Sequence, residues 1–185
     1  AKFIPEDGKE GNYTTPLIVF STKNWDQNEY NNNKELPLTQ EEAIKKHFGD
    51  KPLDDLEGIY TGEESKSKTF IYKKRNLYYC LIFDHYESEL FPDGTNTCRI
   101  KKKLSSDNDY VGWFFTKTKE NKTDIVIKYN ITKFTEEGLS KVKRTFTDRG
   151  QKIDAGVHTK IWPETLDGYN KKVLNINYQE ENQPS

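Results

Sequence analysis

"NLYYCLIFDHYESELFPDGTNTCRI", residues 76–100, decides the fold. An aromatic and β-branched run surrounds Cys80, a Pro92-Asp93-Gly94 turn signal follows, and Cys98, the second of two cysteines, sits in another strand-like run. Two extended segments joined this way fold back antiparallel, and the spacing lets Cys80 and Cys98 face each other. A disulfide there stabilises the fold by about 3 kcal/mol in the chain-entropy account. A nucleophilic Cys80 served by His85 fails on geometry. Five residues of strand put the two on opposite faces, about 16 Å apart.

Outward from this hairpin the same pattern repeats. From Leu56 onward "LEGIYT", "KTFIYKK", "NLYYCLIFDHY", "TCRIKKKL", "YVGWFFTKT", "TDIVIKYNIT", "LSKVKRTF", "VHTKIW" and "KVLNINY" read as strands. Turn chemistry separates most of them, at Lys74-Arg75-Asn76, Asp107-Asn108-Asp109, Asp148-Arg149-Gly150 and Asp167-Gly168. Eight or nine short strands without long crossovers predict an antiparallel up-and-down β-barrel, since closure removes exposed edges and large aromatics fill or line a small barrel.

The first 55 residues differ. Pro5, Gly8, Gly11 and Pro16 mark an extended arm, and "PLIVF" is apolar enough to add a strand or plug an opening. "LTQEEAIKKHF" then gives a short helix of about ten residues, with Thr39 and Glu42 as a capping box and Gly49 as the stop. The expected organisation is residues 1–55 as arm and helix, 56–180 as barrel and 181–185 as tail.

Composition narrows the class. Only 32% of the 185 residues are hydrophobic, yet 13% are aromatic, so the core is built from Phe, Tyr and Trp. Lys plus Arg number 29 against 30 acids, a net charge of −1, so no global field attracts nucleic acid or an anionic membrane. The one basic cluster, "RIKKKL" at 99–104, reads as the solvated face of an edge strand, with contact to a polyanion or an acidic partner as the alternative. No apolar run is long enough for a membrane span. The chain starts at Ala1 and contains no methionine, which reads as a mature form after leader removal. With the cysteine pair this predicts a secreted, extracellular protein. Sequons place glycosylation at Asn12, Asn121 and Asn130, although 15 Asn among 25 Ser and Thr give about two such motifs by chance. Alternation in "TDIVIKYNIT" turns Asn130 away from Ile127, Tyr129 and Ile131, toward water.

"PLDDLEGIYTG" leading into successive hairpins resembles the first strand of a lipocalin or other calycin, with Gly58-Ile59-Tyr60 standing where Gly-x-Trp is usual. In layout the chain is similar to salivary lipocalins of blood-feeding arthropods. "LTQEEAIKKHF", "LEGIY" and "KIWP" also resemble barrel-like domains trailing secreted bacterial proteases. The calycin resemblance implies a barrel that sequesters a small molecule.

Alternation assigns one face to Phe70, Tyr72, Tyr79, Leu81, Phe83, Trp113, Phe115, Ile125, Ile127 and Tyr129, suited to enclosing an apolar ligand, with His85 beside Asp84 to orient a polar group. A one-residue slip in "YVGWFFTK" exchanges this face for Tyr110, Gly112 and Phe114. His47, His85 and His158 lack metal-binding spacing, so no metal or cofactor is expected. No phosphate loop, nucleophile elbow or acid/base constellation marks an enzyme. Two readings stand: a secreted protein sequestering a small hydrophobic or amphipathic ligand in the barrel, or a packed barrel binding a host or partner protein through loops and strand faces. A carbohydrate module with an outer aromatic platform is a third.

Overall fold

The computed structural model describes residues 17–18, 37–63, 65–89, 91–116 and 125–181. Its elements are β1 (Leu17–Ile18), α1 (Gln40–Ala43) running on as a π-helical turn (Ile44–Phe48), β2 (Gly58–Gly62), β3 (Lys68–Lys74), β4 (Leu77–Phe83), β5 (Thr95–Lys102), β6 (Asp109–Thr116), β7 (Ile125–Glu136), β8 (Leu139–Asp148), β9 (Gln151–Trp162) and α2 (Leu166–Glu181). Consecutive strands from β2 to β9 pair antiparallel and β9 returns to β2, closing an eight-stranded up-and-down barrel. β7 is shared: Asn130–Glu136 pair with β8, whereas Ile127 and Val126 pair with Leu17 and Ile18 of β1, the described part of "PLIVF", which adds a short strand. Tight turns use the left-handed region. Arg149 and Gly150 (φ 48° and 78°) join β8 to β9, and Glu137 and Gly138 (52° and 77°) join β7 to β8, as two-residue hairpins demand.

At α1 the Thr39 hydroxyl accepts from the Glu42 amide at 3.1 Å and the Glu42 carboxylate accepts from the Thr39 amide at 2.8 Å, completing the expected capping box. Gly49, at φ 49°, ends the helical run.

Two apolar cores share the barrel wall. Leu56, Tyr60, Ile71, Tyr78, Cys80, Cys98, Ile100, Tyr110, Ile131 and Val142 fill the interior. Ala43, Phe48, Leu53, Ile59, Phe70, Tyr72, Tyr79, Leu81 and Phe83 form an outer layer where the helical segments cover β2 to β4. This corrects the expected face: Phe70, Tyr72, Tyr79 and Phe83 look outward, under the helices. Trp113 faces out as well, flanked across the sheet by Arg99 and Lys128. Ile127 and Tyr129 keep their inward orientation, because β7 places them opposite Phe114 and Gly112. The slip has a physical cause. β3 and β4 are apolar on both faces, one for the interior and one for the helices, so alternation cannot choose between them.

A second correction concerns "KVLNINY", which belongs to α2 and not to a strand; Asp167-Gly168 lies in that helix's first turn. Leu166, Tyr169, Asn170 and Val173 fall at helical spacing and turn toward the protein. The Tyr169 hydroxyl donates to the Gly49 carbonyl at 2.7 Å, and the Asn170 amide clamps the Leu53 backbone at 2.7 and 2.8 Å.

Cys80 and Cys98 stand directly opposite each other, Cα atoms 5.0 Å apart, and are joined as expected. Both are fully buried in the interior core, so the staple ties β4 to β5 from inside the barrel. Among the described residues no helix is long and apolar enough to cross a membrane.

Candidate ligand site in the barrel

"PLDDLEGIY" closes one end of the barrel. Asp54 Oδ1 accepts from the Leu56 and Glu57 amides, folding a turn that drops Leu56, 0% exposed, into the interior. Asp54 Oδ2 accepts from the Tyr78 hydroxyl at 2.7 Å and pairs with Lys73 at 3.0 Å. The Glu57 carboxylate, 2% exposed, takes Lys51 Nζ at 2.7 Å and the Lys73 amide at 2.8 Å. The Tyr60 hydroxyl donates to the Leu56 carbonyl at 2.9 Å. This end is sealed by satisfied polar groups.

Burial relaxes toward the other end. Ile82, Phe114, Ile127, Tyr129, Phe146 and Ile153 follow the inward phase of their strands yet are only half-buried, so solvent reaches the interior among them. Phe114, Tyr129 and Phe146 meet edge to face, with centroids 5.2 and 5.9 Å apart.

Between the sealed end and this apolar mouth lies a polar pair. In "LSKVKRTF" the inward phase carries Val142, Arg144 and Phe146; in "VHTKIW" it carries His158 and Lys160. The Arg144 guanidinium stands 5.5 Å from the ring centres of both Phe114 and Tyr129, and its Nη2 donates to His158 Nε2 at 3.3 Å. A guanidinium only donates, so His158 carries its proton on Nδ1. Arg144 Nε and His158 Nδ1 are buried without a hydrogen-bond partner. Both are donors, and among the described residues no carboxylate faces them. Beside them lies a void of about 20 Å³ bounded by Tyr60, Thr69, Ile71, Ile100, Ile131 and Val142, room for one water-sized group.

No protein-family model, curated protein or solved structure matches the chain.

Of the residues expected to line a cavity, the structure brings Ile127 and Tyr129 to this site. Phe70, Tyr72, Tyr79 and Phe83 lie in the outer layer, and Trp113 is on the outer surface. His85 sits in the β4–β5 connection, where it stacks on Tyr86, meets Phe91 at a tilt, and its Nδ1 accepts from the Glu87 amide at 3.1 Å. Phe115 lies in β6, with its side chain outside the described residues. Asn130 faces outward and holds Lys103 Nζ at 2.8 Å, whereas Asn12 and Asn121 lie outside the described residues. Among the described residues no cluster of three or more His, Cys, Asp or Glu gathers to hold a metal.

Arg144 was missed because a basic residue in a Lys-rich strand reads as surface. The signal was its phase, which it shares with Val142 and Phe146.

Burial, and the Arg144 charge beside it, hold His158 down to about 4 from its ordinary 6.5. Burial and neighbouring lysines do the same for His47, which stacks on Tyr72 with centroids 4.0 Å apart. A depressed base means that the unfolded chain binds more protons between pH 6.5 and 4. Stability therefore falls as pH drops through that window, by on the order of 2–3 kcal/mol for His158. Urea unfolding at pH 7.5 and 4.5 measures this, and His158→Gln should remove a matching share of the loss. An equal loss in the variant would refute the assignment.

On the outside, β7, β8 and β9 carry an open groove of about 740 Å³, with Phe134 and Val157 among its apolar groups and Glu63, Lys143 and Asp154 among its charged ones. Lys143 and Asp154 pair at 2.7 Å within it.

Proposed function

We propose that this protein is an extracellular binding protein that holds a small amphipathic molecule at the open end of its barrel. The observation that carries the reading is the gradient inside the barrel: a sealed, fully buried end, and an opposite end where Phe114, Ile127, Tyr129, Phe146 and Ile153 point inward but stay half-buried. Apolar surface left wet inside a concave wall favours an apolar guest, because each Å² removed from water is worth about 25 cal/mol. A buried disulfide fits an oxidising compartment.

The test is native mass spectrometry of protein purified from a eukaryotic secretory host, followed by thermal-shift screening of fatty acids, sterols and biogenic amines. A one-to-one adduct, or a melting shift of several degrees with one lipid class, is expected. A clean mass with no shift would sink the reading. It would favour the second one, a packed barrel that binds a host or partner protein, for which the wide outer groove on β7 to β9 is the supporting feature.

A further inference from the structure

We propose that Arg144 and His158 form an anion-reading floor beneath the open end of the barrel, and that the bound molecule is a carboxylate amphipath whose head meets these two residues. The inference rests on the barrel-binding reading and sharpens it to a ligand class.

Both members of the pair carry an unmet donor. A guanidinium inside a barrel needs either a carboxylate or several acceptors, since a buried charge left unpaired is costly. Arg144 has neither: its acceptors are the Ala155 carbonyl at 3.5 Å and the His158 ring at 3.3 Å, both long, and its Nε is unpaired. His158 leaves a second donor, Nδ1, unmet nearby. The other titratable groups that touch this pair or line its void are Tyr60 from β2 and Tyr129 from β7, neither of them a carboxylate. A group that satisfies both donors must accept from each, and a carboxylate does so while also neutralising the cation, which a hydroxyl does not. The void of about 20 Å³ beside them has room for a single carboxylate oxygen and none for a tail. The tail has a direction. Phe114 and Tyr129, which flank the guanidinium, continue into the half-buried apolar mouth.

Decanoate, decanol and decyltrimethylammonium share a tail and differ in the head, and formate is a head alone. Calorimetry at pH 7.4 should show decanoate binding at least tenfold tighter than the other two. Arg144→Met should weaken decanoate about ten- to a hundredfold, as expected for a charged hydrogen-bonded head, and leave decanol unchanged. The same variant should melt no lower than wild type, because it removes an unpaired buried charge; an arginine with a purely structural role would melt lower. Should Arg144→Met fail to fold, the wild-type Arg144 Nε–H resonance serves instead, and decanoate should shift it and slow its exchange with water. Equal affinity for all three tails overturns the anion floor and leaves the barrel reading standing. A response to formate without binding of any tail keeps the floor and overturns the barrel reading. No response to any probe overturns both.

Discussion

Gly58→Ala is expected to destabilise the protein by about 3–5 kcal/mol, among the largest effects of any single methyl group in this chain. Gly58 holds φ at +146°, where side chains are rarely tolerated, and a Cβ there would lie 2.4 Å from the Trp162 carbonyl oxygen. That oxygen belongs to the backbone of β9, so it cannot swing aside as a side-chain tip would. The clash falls on the seam between β2 and β9, the last pairing that closes the barrel, beside a register shift at Ile59/Tyr60. Opening the seam would also move His158 and Lys160, which pair with Gly62 and Tyr60. Gly138 is the control: its φ is +77° and an added Cβ meets nothing within 4 Å, so Gly138→Ala should lose only about 1 kcal/mol of backbone strain. Urea unfolding of both variants decides the matter. Similar small losses would mean that β2 and β9 do not approach as closely as described.

The barrel was legible in the sequence because its hairpins carry their own signals. Pro92-Asp93-Gly94, Asp148-Arg149-Gly150 and the alternating runs beside them set strand number, order and direction without long-range information. The disulfide followed from the same hairpin. Which face looks inward was not legible in β3 and β4, because "TFIY" and "LYYCLIF" bury both faces and the deciding fact is where the helices dock. α2 was hidden for a related reason. "KVLNINY" alternates apolar and polar residues as a strand would, and only the helical spacing of Leu166, Tyr169, Asn170 and Val173 distinguishes it. A small part of the candidate site was readable: Ile127 and Tyr129 lie in a strand with one polar face, so their orientation was fixed by local pattern. Arg144 was not, since in sequence it is one of several cations in "LSKVKRT" and only barrel closure turns its phase into burial.

The inverted face makes Phe70→Ala the second large effect and the one that tests orientation. Phe70 is fully buried between Phe83, 4.3 Å away by ring centroids, and Phe48 of the π-helical turn at 6.1 Å; Phe48 in turn meets Trp162 at 5.0 Å. Removing the ring leaves a hole between barrel and helices that these rigid neighbours fill poorly, so a loss of about 3–5 kcal/mol is expected. Because the hole lies outside the barrel, its consequences should be local to the helical cover. Amide exchange should rise at Ala43 and Gly49, whose N–H groups bond the Thr39 and Ile44 carbonyls at 3.0 and 2.9 Å, well before it rises in β6 and β7. Decanoate affinity should stay within about twofold of wild type, since the ring touches neither Arg144 nor the apolar mouth. The opposite pattern is equally readable. If Phe70→Ala abolishes binding and leaves exchange in α1 unchanged, Phe70 lines the cavity as simple alternation suggests and does not belong to the outer layer.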